Sequence, residues 1–83
     1  MKADEVVHGA LVRVQQLDSL DGMMVADHYI TPRREGMVGT VIKLGAVRAA
    51  AVDRDDLIVV FVESGAVTAA YWNTELLLLA VPE

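Results

Sequence analysis

The sequence predicts an all-β domain, and three observations carry that reading. Apolar and β-branched residues gather in short runs, Val38–Leu44, Leu57–Val62 and Leu76–Val81, the composition and length of strands. Turn residues separate them: Asp21-Gly22, Thr31-Pro32 and Ser64-Gly65, whose backbone preferences reverse a chain rather than extend it. The length, 83 residues, leaves room for one domain and one modest core, with roughly 60% of the unfolded surface buried.

The elements follow in order. Residues 1–8 are polar and charged apart from Ala3 and Val6-Val7, and read as a flexible arm ahead of a single domain spanning 9–83. After Gly9, Val12 and Val14 alternate with Arg13 and Gln15, the period of two of a half-buried strand. Residues 16–36 carry Asp18, Ser19, Asp21-Gly22, Thr31-Pro32 and Gly36 and hold neither a strand nor a helix period. A loop of that length is expected to be functional or to carry its own short pairing, with Asp21-Gly22 as the tip of an irregular hairpin.

The second strand is Val38–Leu44, closed by Gly45. Residues 46–56 are Ala-rich and end in Asp53-Arg54-Asp55-Asp56. Ala favours helix, while the position between two strands suits an extended loop, and both readings stand. Leu57–Val62 is a continuous apolar run, which calls for cover on both faces, one by the core and one by a partner. Ser64-Gly65 turns it into a returning strand over Ala66–Tyr71. Trp72-Asn73-Thr74-Glu75 forms a single helical turn before a last strand, Leu76–Val81, stopped by Pro82. The set is a five-stranded SH3-like barrel with a long first loop and a short helical turn before the last strand.

Composition narrows the function. With 54% hydrophobic and 23% charged residues, so short a chain has more apolar content than its own core can hide. Part of it is expected to face a protein partner, a second copy of the chain, or both. Seven basic against twelve acidic residues, a formal charge of −5, disfavour nucleic acid, because phosphate contacts need basic surface. The absence of cysteine excludes a disulfide staple and a thiolate metal site and points to the cytoplasm. The acidic opening, Met1-Lys2-Ala3-Asp4-Glu5, is not a secretory signal, and no apolar run approaches the roughly 20 residues that span a membrane.

Gly9-x-x-Val12-Arg13-Val14, Gly36-x-x-Gly39-x-Val41, Val59-Val60-Phe61 and Ala70-Tyr71-x-x-x-Glu75-Leu76 together resemble small SH3-like barrels in which a Gly-x-x-Gly-x-Val strand follows a long loop. Two families share that spacing over most of residues 9–79. One is the variable subunit of ferredoxin–thioredoxin reductase, with the related barrel of the nitrile hydratase β subunit. That resemblance implies an accessory barrel packed on a catalytic chain. The other is the plasmid-type (type II) dihydrofolate reductase, which implies a tetramer whose copies line a shared pore with a Val-Gln-Ile-Tyr segment. That segment falls on Thr68-Ala69-Ala70-Tyr71, where Tyr71 is kept and Ala69 replaces the glutamine that would contact nicotinamide and pterin. The departure weighs against dihydrofolate reduction.

No catalytic constellation emerges from the residues themselves. There is no Gly-x-Ser-x-Gly elbow, and Ser19 and Ser64 both lie in turns. No glycine-rich phosphate cradle occurs. His8, His28 and Asp27 lack the short-range spacing of metal ligands, and no cofactor is implied. The contact candidates are Arg33 and Arg34, adjacent cations suited to a carboxylate or an acidic surface, with the aromatic neighbours His28, Tyr29, Tyr71 and Trp72. An aromatic groove between the long loop and the turn at 71–75 would suit an extended peptide. For Trp72 the alternative is closure of one end of the core. For the arginines it is a solvated loop with one paired to Glu35 or Asp27. The leading reading is a non-enzymatic accessory subunit or interaction module. A pore enzyme assembled by Thr68, Ala69 and Tyr71 of several copies is the second, and a nucleic-acid-binding barrel the third.

Overall fold

The computed structural model describes residues 1–20, 23–45 and 57–82. The Asp21-Gly22 hairpin tip and the helix-or-loop alternative at 46–56 lie outside the described residues. Five strands form: β1 (Leu11–Val14), β2 (Val38–Gly45), β3 (Val59–Ser64), β4 (Val67–Trp72) and β5 (Leu76–Ala80). They make one antiparallel sheet in the order β4-β3-β2-β1-β5. β1 thus pairs with both β2 and β5, so the chain's last strand returns beside its first.

Alternation sorts the side chains into two layers. Val12, Val14, Val41, Val60, Val62, Ala69, Tyr71 and Leu76 face inward as one cluster. Every strand contributes to it, so the sheet curls around a single core. Burying each Val or Leu side chain of this kind contributes about 1.5–3 kcal/mol. The long first loop and the 3-10 turn Asn73–Glu75 before β5 stand where the sequence places them.

Two glycines have assigned work. Gly65 takes φ +62° while Ala66 keeps a negative φ, the pattern of a type II′ hairpin turn between the paired Ser64 and Val67. At Gly39, β2 passes so close to β3 that a Cβ would meet the Glu63 carbonyl oxygen and lie 2.7 Å from Val62 Cγ1. Only a residue without a side chain fits that crossing.

Several expectations are corrected. The first eight residues are not a loose arm. Ala3–Glu5 form a 3-10 turn, Val6 enters the core, and the Asn73 side-chain amide donates to the Met1 carbonyl at 3.1 Å. The long loop contains one helical turn, α1 (Asp27–Ile30), too short to leave a period in the sequence. The run at 57–62 does have both faces covered, but its outer face is covered by this chain's own loop. Met23, with Val25 and Tyr29, packs over Val59, Phe61, Ala70 and Trp72.

Candidate contact surface

The long loop is held down from beneath by one carboxylate. Glu75, at the end of the 3-10 turn, is 0% exposed. Its Oε1 accepts the Trp72 N–H at 2.7 Å, and its Oε2 accepts the Asp18 N–H at 2.6 Å and the Arg33 guanidinium. Both limbs of the loop are therefore tied to the same side chain. The Gln15 N–H adds a bond to the Glu75 carbonyl at 2.9 Å, and Trp72 Nε1 donates to the Ser19 carbonyl at 2.8 Å.

Burial pushes the Glu75 carboxyl above the ordinary carboxylate range, and the Asp18 and Trp72 amides and the Arg33 charge pull it only partly back. Desolvation outweighing attraction is the usual balance for a buried ion pair. Burial likewise raises the Tyr71 hydroxyl. That hydroxyl accepts the Arg34 N–H at 3.2 Å and donates to Met37 Sδ at 3.0 Å. The Arg33 guanidinium stands 5.4 Å from the Tyr71 ring centre, and its Nε is buried without an acceptor among the described residues.

The six residues singled out from the sequence are thereby divided. Tyr71 faces the inner core and Trp72 the outer cluster, and both side chains are buried. Arg33 is buried against Glu75 rather than solvated beside Glu35 or Asp27. These three hold the loop in place and offer no contact surface. Arg34 and His28 are exposed, and Tyr29 is half-buried with its ring edge-on to Phe61 at 5.0 Å. His28 and Tyr29 line an open cleft of about 660 Å³ between α1 and the β3–β4 hairpin, bounded also by Pro32, Val67 and Thr68. Ala69 and Tyr71, expected to line a pore shared between copies, point into this chain's own core.

The surface that the sequence reading passed over is on the other half of the sheet. The loop covers the outer face of β3 and β4 and stops there. On β2, β1 and β5 the outward residues Val38, Leu11, Leu77 and Leu79 are exposed, the last two at 45% each. Register places Arg13 between Val38 and Leu77, and Leu11 between Thr40 and Ala80. Arg13 has no ion pair or ring contact among the described residues. The result is a largely apolar face with Arg13 at its centre and Thr40 and Lys43 on its β2 side. Its signal was present in the sequence: the run Leu76–Val81 is apolar on both faces, and only one face finds a core.

Among the described residues no cluster of three potential metal ligands occurs, and no helix is long and apolar enough to cross a membrane. No protein-family model matches the chain, and no curated protein or solved structure matches it.

Proposed function

We propose that this protein is a non-enzymatic interaction module, an accessory barrel whose contact surface is the outer face of β2, β1 and β5. One observation carries the reading: the chain's own loop packs over the outer face of β3 and β4, while Val38, Leu11, Leu77 and Leu79 stand exposed on the other three strands beside Arg13, Thr40 and Lys43. Contiguous apolar patches of several hundred Å² are uncommon on monomers and mark contact sites. An arginine set among apolar groups is the composition of an interface centre. Among the described residues, the buried side chains of Glu75, Arg33 and Tyr71 are engaged with one another and fix the loop. The reading extends to a cytoplasmic location, in keeping with the absence of cysteine.

Photo-crosslinking in the native cell tests it. A benzophenone side chain at Val38, in the bare face, is expected to form a defined adduct, whereas the same group at Met24, exposed on the loop, forms none. Failure to form an adduct at Val38 overturns the proposal.

A further inference from the structure

The sheet ends differently at its two edges. β4 has α1 packed beside it. Among the described residues β5 is paired on one side only, to β1, and its outward edge is capped at its first residue, where the Leu76 carbonyl accepts from the Met1 amino group at 2.7 Å. From Leu77 to Val81 the strand carries no charge and no proline, and Pro82 follows only after it. Edges that must stay single are normally guarded by lysine, proline or a charge, and this one has none.

We infer that the open edge of β5 pairs antiparallel with β5 of a second copy of this chain, joining two sheets across a two-fold axis. The inference rests on the reading above that this side of the sheet is a contact surface. Charge selects a copy of the chain as the occupant, and selects its orientation. In a two-fold contact each group near the axis meets its own image, so a self-pairing strip must be neutral there, and Leu77–Val81 is. The chain as a whole carries −5, and its described exposed acids, Asp4, Glu5, Asp18, Asp27, Glu35 and Glu63, all lie off β1 and β5. The β5 edge is where two such chains approach without bringing carboxylates together.

Edge pairing also separates the two copies of Arg13. β1 and its image lie three strand spacings apart, about 14 Å, beyond the roughly 8 Å screening length at physiological salt. Face-to-face stacking of the same patch would press the two cations together. Across the β5 seam, Leu77 and Leu79 of one copy meet those of the other within about 4.5–5.5 Å between Cβ atoms for directly opposed pairs. The strip is narrow against the roughly 1,200 Å² of stable complexes, so a dimer dissociating at about 10–100 µM is expected.

Sedimentation velocity on the full chain, from about 5 µM to about 1 mM, tests this. The mass is expected to rise from 9.0 kDa toward twice that value, with amide shifts in a matched NMR dilution series confined to residues 77–81 and their β1 neighbours. The pair Leu77→Lys with Leu79→Lys is expected to weaken the dimer at least tenfold. Both positions are exposed, so folding is retained, and an unchanged amide spectrum outside β1 and β5 confirms it. Met24→Lys leaves the mass curve unaltered. A chain that stays monomeric to 1 mM overturns the self-pairing, as does a dimer indifferent to the lysines or one whose shifts fall elsewhere. A monomer that still forms the Val38 adduct with another polypeptide loses this inference and keeps the interaction-module reading. A monomer without that adduct loses both.

Discussion

Replacing Arg33 by methionine tests how the long loop is held. The substitution keeps the length and apolar stem of the side chain and removes the cation from a side chain only 6% exposed. Glu75 then sits fully buried with the Asp18 and Trp72 amides as its remaining donors. Breaking one side of a buried pair costs about 3–5 kcal/mol, against roughly 4–12 kcal/mol for a domain of this size. That cost depends on pH in a direction the structure sets. Burial already raises the Glu75 carboxyl above its ordinary value of 4.5 and the Arg33 charge holds it down, so loss of that charge raises the carboxyl further.

A folded-state carboxyl raised above its unfolded value binds its proton more tightly in the fold. Its contribution is fully present below the unfolded value, about 4.5, and is lost as pH rises through the folded one. The gap between wild type and Arg33→Met is therefore smallest at the acid end of the range and grows as pH rises through the folded value. There it reflects lost packing and the contact with the Tyr71 ring. The gap is expected to widen to the full 3–5 kcal/mol by pH 8. Urea unfolding of both proteins at pH 4.5, 6 and 8 measures it, and the other titrating groups cancel in the difference. A gap that is constant across pH, or that shrinks as pH rises, refutes the placement of Glu75 as a buried carboxylate clamped by Arg33.

Three further outcomes are expected. Gly39→Ala forces β2 away from the Glu63 carbonyl and Val62 and costs about 1–3 kcal/mol as overpacking; an unchanged thermal midpoint would show that the crossing is looser than described. Tyr71→Phe leaves the Arg34 N–H without its acceptor and costs about 1–3 kcal/mol, with faster amide exchange at Arg34, and exchange unaltered there would contradict the bond. Gly65→Ala places a side chain at φ +62°, at the first central position of a type II′ turn, which favours glycine, and costs about 1–3 kcal/mol; an unchanged thermal midpoint would exclude the type II′ turn.

The strands were legible because their signals are local. Val12 and Val14 alternate with polar neighbours, Ser64-Gly65 marks the hairpin, and Asn73–Glu75 interrupts two apolar runs where the 3-10 turn forms. The glycine spacing at 36 and 39 also has a physical basis, a positive φ of 83° at the first and a backbone crossing at the second. What was illegible is long-range. Arg33 and Glu75 are 42 positions apart, and nothing in either neighbourhood marks them as a pair, so Arg33 read as a surface twin of Arg34. Tyr71 and Trp72 are adjacent in β4 and must face opposite sides of the sheet. That alternation was available, but the two aromatics read as one groove. The apolar runs at 57–62 and 76–81 look alike in sequence. Only the path of the loop decides that the first has its outer face covered and the second does not.

Thiol accessibility tests the division of the outer face most directly, since the chain contains no cysteine of its own. Single cysteines at Val38, Leu77 and Met24, all exposed, are expected to react with a maleimide at similar rates in dilute purified protein. In intact cells, Val38→Cys and Leu77→Cys are expected to be protected at least tenfold, while Met24→Cys keeps its rate. Equal reactivity of all three positions in the cell would mean that nothing covers β2, β1 and β5, and would contradict their assignment as the contact surface.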